Sequence, residues 1–181
     1  AFYFSSEIKA LQADCDDIQE FPPGYVYTHD SGLQQYFDLK QKSHLAHQQG
    51  VKADTDIFKE IYQSLKKAVQ KRLMSDVPIG VYLSGGLDST IITALVAQEI
   101  PDVHSFSVGI EGSPDIENAR IAAAYLGTQH HEYIYDIDEI LELLPETIYY
   151  LESFDPSLVR SAIPNHLLAR LTRQYVTVVL R

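Results

Sequence analysis

The feature that most limits what this chain can fold into is an alternation that runs through its second half. From residue 79 onward, short apolar and β-branched runs trade places with longer segments of helical period. Residues 79–83 read as a strand, 89–100 as a helix with Ile92, Leu95 and Val96 facing inward, and 103–110 as a second strand. Ser113 caps a helix with Pro114 at its first position and Gly127 just past its end. Residues 131–135 make a third strand, and Asp136 with Glu139 resembles a capping box opening a helix to about Ser153. A further helix spans roughly 163–173, and a last strand begins near Tyr175, with 176–180 reading as buried. Strand–helix repeats of this kind imply an α/β fold, a parallel sheet with helices on both faces. Right-handed crossovers then place the C-terminal end of every strand on one edge, where ligands bind in such sheets.

The first half is less regular. Residues 1–30 look like short strands and turns, with Ala1-Phe2-Tyr3-Phe4 as an apolar strand and Phe21-Pro22-Pro23-Gly24 as the clearest breaker. Residues 31–54 are polar and weakly periodic, the pattern of a linker; His44 and His47 could share a helical face but lack the acids or thiols of a metal site. Ile57, Ile61, Leu65, Val69 and Leu73 then form the stripe of one amphipathic helix, with Asp54, Thr55 and Asp56 supplying capping oxygens. Lys66, Lys67, Lys71 and Arg72 at its far end suit the helix dipole and read as a solvated face. Both ends of the chain look cut: it opens without methionine and closes one residue after a buried strand, as a fragment would.

Composition excludes several classes. The length of 181 residues suits about one domain, and 45% hydrophobic residues suffice for a core. Lys plus Arg is 14 against 25 Asp plus Glu, a net charge of −11 that argues against a nucleic-acid partner. One cysteine, Cys15, excludes an internal disulfide framework and a thiolate zinc set. No apolar stretch approaches the roughly 18 residues of a membrane span, and no basic-then-apolar leader is visible. A cytoplasmic protein with no membrane partner is the expectation.

At the ligand edge, directly after Leu83, stands Ser84-Gly85-Gly86-Leu87-Asp88-Ser89-Thr90. Two glycines let the backbone turn tightly and bring its N–H groups to an anion. The following helix points its positive end into the same space, and Ser84, Ser89 and Thr90 add hydroxyl donors. The set suits phosphate oxygens. Asp88 would repel them unless a divalent cation bridges the two, which makes Asp88 the candidate metal ligand. The lysine of a Walker A loop is absent. A glycine pair after a strand can be merely a tight turn, but the whole heptapeptide in a strand–loop–helix context favours phosphate.

Residues 84–89 resemble the SGGxDS pyrophosphate loop of the ATP pyrophosphatase (PP-loop) superfamily. Met74-Ser75-Asp76-Val77-Pro78 on to Thr90, residues 104–110, Gly112-Ser113-Pro114-Asp115 and Leu126-Gly127-Thr128-Gln129-His130-His131-Glu132 resemble the glutamine-hydrolysing asparagine synthetases more specifically. Phe154-Asp155-Pro156-Ser157-Leu158-Val159-Arg160 is similar to that family's substrate-side segment, and residues 1–11 with 21–25 look like the end of its glutaminase domain. The resemblance covers nearly the whole chain. It implies a Rossmann-like PP-loop fold over residues 55–181, a linker over 31–54 and a short β remnant of the glutaminase domain over 1–30.

It also implies a chemistry. In that family the aspartate side-chain carboxylate attacks the α-phosphate of ATP, pyrophosphate leaves, and ammonia drawn from glutamine displaces AMP from β-aspartyl-AMP. Carried over, Ser84, Gly85, Gly86, Asp88 and Ser89 hold the pyrophosphate portion with Mg²⁺, while Leu83, Val108 and Gly109 meet the adenosine and Asp115 lies near the nucleotide. Ser157 and Arg160 match positions near the acyl-adenylate, where a guanidinium can pair bidentately with carboxylate or phosphate. Arg160 also reads as a structural ion pair, since residues 111–159 hold eleven acids and one basic residue, Arg120.

Two departures from the family stand out. Its glutaminase uses an N-terminal cysteine nucleophile, whereas residue 1 here is Ala1, and Cys15 lies in the acidic run Asp14-Cys15-Asp16-Asp17, which blunts its reactivity. The family continues past its last strand into a Ser-Gly-Glu-Gly loop, whereas this chain stops at Arg181. The expectation is a chain that cannot hydrolyse glutamine or complete asparagine synthesis alone, and whose open sheet edge favours a homodimer. Two alternatives stay open: another acyl-adenylating amide synthetase of the β-lactam synthetase type, and a non-catalytic nucleotide-binding module.

Overall fold

The computed structural model describes residues 2–38 and 55–181, which divide into two compact units, Ala1–Phe58 and Lys59–Arg181. The expected pair His44 and His47, and the capping oxygen of Asp54, lie outside the described residues.

In the first unit, β1 (Tyr25–Thr28) pairs antiparallel with β2 (Gly32–Gln35). The segment read as a linker thus contributes a strand at its start. The apolar strand expected at the N-terminus is not one. Residues 2–4 have no strand to pair with; instead the rings of Phe2 and Phe4 pack on Tyr27, with centroids 5.8 and 5.2 Å away. Among the described residues of this unit none is fully buried, and Phe2, Tyr3 and Phe4 are all exposed.

The second unit is the α/β fold. Its elements are α1 (Thr55–Arg72, in this unit from Lys59 onward), β3 (Ile79–Tyr82), α2 (Leu87–Ala97), β4 (His104–Gly109), α3 (Pro114–Leu126), β5 (Gln129–Ile134), α4 (Ile137–Leu151), α5 (Pro156–Thr172) and β6 (Val178–Leu180). The sheet order is β5-β4-β3-β6, every pair parallel. Alternate side chains point to opposite faces. Val81 packs with Val69, Leu95 and Val96 of α1 and α2, while Phe106 packs with Leu168 and Val176 on the α5 side. Helices therefore cover both faces, as a parallel sheet requires. Among the described residues no helix is long and apolar enough to cross a membrane.

Several element boundaries differ from the sequence reading. Helix α5 starts at Pro156, not near residue 163, because Asp155 Oδ1 accepts the N–H groups of Ser157 and Leu158 at 2.9 and 3.0 Å with Pro156 in the first turn. Pro164 sits inside that helix, where a missing N–H costs about 3 kcal/mol; buried Val159, Ile163, Leu167 and Leu168 offset it by packing. Strand β6 starts at Val178 because the N–H of Val176 still bonds Thr172 O, prolonging the helical turn. Helix α2 starts at Leu87, which moves Asp88 from the loop into the first turn. Of the α1 stripe only Val69 is buried, at 3% exposed; Ile57, Leu65 and Leu73 are half-buried and Ile61 is 57% exposed.

The caps behave as local rules demand. Gly127 closes α3 in the left-handed conformation at φ 69°. Asp136 Oδ1 accepts the N–H of Glu139 at 2.9 Å, but Glu139 does not return the bond; its carboxylate accepts Tyr133 OH at 2.6 Å.

Candidate functional site

The site is built where β3 ends. Leu83 is fully buried, and its N–H donates to Phe106 O at 2.8 Å, so pairing with β4 persists up to the loop. Gly85 then turns the chain at φ +77°, a conformation that favours glycine. It also leaves no space for a side chain, since a Cβ would stand 2.5 Å from Ala119 N and 2.6 Å from Asn118 Cβ. The loop is pressed onto the backbone of α3. Ser84 and Ser89 close it from within: Ser89 Oγ lies 3.0 Å from Ser84 Oγ, accepts the Ser84 N–H at 3.2 Å and donates to Gly86 O at 3.1 Å.

Gly86 is the N-cap of α2 and brings no side-chain cap. The N–H groups of Leu87, Asp88 and Ser89 are then the first-turn donors that a helix cannot satisfy internally. Together with the helix dipole they favour an anion. Asp88 is exposed in that turn, and its carboxylate has no hydrogen bond or ion pair among the described residues.

A cavity of about 100 Å³ opens at the C-terminal ends of β3 and β4. Of the expected residues, Leu83, Ser84, Val108 and Asp115 line it, joined by Phe106, Ser107 and Leu168. Gly109 seats α3 against this end of the sheet, because a Cβ there would meet Ile116 Cγ1 at 2.7 Å. That seating places Asp115, an exposed first-turn acid of α3 whose N–H donates to Ser113 Oγ at 3.3 Å, over the cavity. Gly85, Gly86, Asp88 and Ser89 adjoin the cavity through Ser84 without lining it.

Ser157 and Arg160 are not brought to the cavity. Both are exposed on the first turns of α5, where Arg160 Nε donates to Pro156 O at 3.2 Å. Helix α5 reaches the cavity only at Leu168, about 12 Å along its axis from Arg160 and about 16 Å from Ser157 at 1.5 Å per residue. Among the described residues no group of three or more His, Cys, Asp or Glu side chains could hold a metal ion. One free carboxylate beside a loop of glycines and hydroxyls would nevertheless suit Mg²⁺, which is commonly held by one or two carboxylates plus the phosphates of a nucleotide.

Sequence reasoning missed a half-buried polar network behind the cavity. Ser105 Oγ lies 2.7 Å from Thr128 Oγ1 and 2.8 Å from His130 Nδ1, and Ser107 Oγ lies 3.1 Å from His130 Nε2. Ser105 and Ser107 are buried, and burial holds the His130 pKa below its ordinary 6.5, against the opposing pull of Glu132. The signal was present in the two i, i+2 pairs, Ser105/Ser107 on one face of β4 and Thr128/His130 at the start of the adjacent β5.

Comparison with known proteins gives these residues a context. The asparagine synthase family model matches residues 60–181. The probable glutamine-hydrolyzing asparagine synthetase of Schizosaccharomyces pombe is 39% identical over 93% of this chain and 33% of its own length. Asparagine synthetase B (glutamine-hydrolyzing) of Escherichia coli K12 is 38% identical over 93% of this chain and 32% of its own length. The rice glutamine-hydrolyzing asparagine synthetase 2 is 36% identical, with 93% and 29% covered. The chain thus spans about a third of the length of these relatives.

Proposed function

This chain belongs to the asparagine synthase family, and on that premise we propose that it forms the nucleotide-binding part of an ATP-dependent asparagine synthetase. The observation that carries the reading is the loop of residues 84–89, folded over Gly85 against α3 beside the cavity at the sheet edge. Ser84, Gly85, Gly86, Ser89 and the first N–H groups of α2 hold the pyrophosphate portion of ATP. Leu83, Val108 and Gly109 frame the adenosine, and Asp115 lies at its rim. Asp88 holds Mg²⁺, which when bound neutralises phosphate charge and strengthens pyrophosphate as a leaving group.

In the reaction proposed, a side-chain oxygen of aspartate bonds to the α-phosphorus of ATP while the bond to the bridging oxygen breaks and pyrophosphate departs. Ammonia, supplied from glutamine, then bonds to the acyl carbon of β-aspartyl-AMP. AMP leaves with the electron pair of the acyl carbon–oxygen bond of the mixed anhydride, and ammonia's extra proton passes to solvent. This chain's residues serve the first step by binding and orientation, fixing the leaving group against the N-terminus of α2. Ser157 and Arg160 are assigned to the acyl-adenylate side, in a carboxylate pocket beyond the 100 Å³ space.

The test is calorimetry of the chain with ATP and Mg²⁺, alongside Asp88→Asn. The expected outcome is Mg²⁺-dependent binding that weakens about tenfold or more in the variant, at unchanged thermal stability. Equal affinity in the two proteins removes Asp88 from the metal site, and no binding by either removes the nucleotide reading.

A further inference from the structure

Buried hydroxyls are unusual in the middle strand of a parallel sheet, where near-continuous apolar runs are the rule. Strand β4 carries two, Ser105 and Ser107, on the face away from Phe106 and Val108. One ring on β5 serves both: His130 stands directly opposite Ser105 in the parallel register and spans to Ser107, one nitrogen to each hydroxyl. Ser105 has a second partner in Thr128, whereas His130 is the side-chain partner of Ser107. Ser107 is also the member of the network that lines the cavity, between Phe106 and Val108.

A neutral imidazole donates through one nitrogen and accepts through the other. It can therefore satisfy one hydroxyl as donor and one as acceptor, a match that two serines two residues apart demand. The charged neighbours of the ring are Glu132 on its own strand, paired to Arg120 of α3, and His131 beside it. None of these reaches Ser107 in its place.

We propose that His130 is a positioning residue for the nucleoside end of the site, holding Ser107 and with it the end of β4 from Phe106 to Gly109 in the arrangement the cavity requires. The inference rests on the nucleotide reading above and adds a division of labour to it. The loop of residues 84–89 holds phosphate, and the His130–Ser107 contact shapes the space for the nucleoside. A merely structural histidine would lower stability without regard to which part of the ligand is bound.

Side-chain isosteres separate the two roles. The amide of asparagine occupies the place of a histidine Nδ1, and that of glutamine the place of Nε2. His130→Asn keeps a partner for Ser105 and strips Ser107; His130→Gln does the reverse. Affinities for Mg²⁺–ATP and for Mg²⁺–pyrophosphate, which lacks the nucleoside, are measured by calorimetry on the full chain at a temperature where circular dichroism shows each variant folded. His130→Asn and Ser107→Ala are expected to weaken ATP about tenfold while pyrophosphate binding changes less than about twofold. His130→Gln is expected to bind both within about twofold of the parent. The proposal is overturned if all three variants bind ATP like the parent, if glutamine is as damaging as asparagine, or if pyrophosphate binding falls in step with ATP. If the parent binds pyrophosphate but not ATP, the positioning role alone falls; if it binds neither, the nucleotide reading falls and takes this role with it.

Discussion

His130 and His131 are neighbours in sequence and opposites in the fold. Successive strand residues face opposite sides of the sheet, so one enters the hydroxyl network under α3 and the other the aromatic face toward Tyr175. There His131 Nε2 lies 2.8 Å from His104 Nδ1, and its ring stacks on Tyr175 with centroids 3.9 Å apart. Phe106, fully buried, completes the stack with its centroid 5.2 Å from that of His131. Burial lowers the pKa of both histidines, with the nearby His104 adding to the effect on His131. The difference lies in what each ring satisfies. His130 bonds two buried hydroxyls, and for Ser107 it is the one side-chain partner among the described residues, while His131 contributes ring area and a single bond. The same residue type therefore holds a polar seam on one face and an apolar stack on the other.

The largest effect expected is on the aromatic side but not from the histidine. Phe106→Ala removes the one fully buried ring common to the stack and the cavity, and should destabilise by about 3–5 kcal/mol in chemical denaturation. Next comes His130→Ala, which leaves the hydroxyl of Ser107 without its imidazole partner and should cost about 2–3 kcal/mol. The matched His131→Ala should cost about 1–2 kcal/mol, because the lost contacts are ring pairs at a partly exposed position. A larger loss at His131 than at His130 would reverse the contrast drawn above.

Acid sharpens the same comparison. The unfolded chain takes up protons at these histidines near pH 6.5, before the folded chain does. Their contribution to stability is thus fully present above that pH and is lost as pH falls through the lower folded values. His131→Phe, which keeps the stack and removes one titrating group, should flatten the fall in melting temperature below about pH 6.5. An unchanged slope would assign the acid sensitivity to His130 or to groups elsewhere. The smallest effect belongs to the exposed rim of the polar face. Arg120 donates to Glu132 at 2.8 and 2.6 Å with half its side chain in solvent, so Arg120→Gln should cost less than about 1 kcal/mol. That loss should shrink further when salt is raised.

Much of the second unit is legible without coordinates. The alternation of strand and helix patterns dictates a parallel sheet, and Ser113-Pro114 with Gly127 bounds α3 because capping chemistry is local. The loop of residues 84–89 can be read the same way, since its glycines and hydroxyls act within six positions of one another. Three things required the tertiary structure. Helix α5 runs through Pro164 because packing along its buried side outweighs a local break. Gly85 is closed to any side chain by Asn118 and Ala119, more than thirty residues away in sequence, which no local pattern reports. The partnership of His130 with Ser105 and Ser107 depends on strand register, and register is decided by how whole strands bury their faces. Sequence alone determines the residues whose work is local; hydrogen bonds and contacts between distant strands and helices are settled only when the sheet assembles.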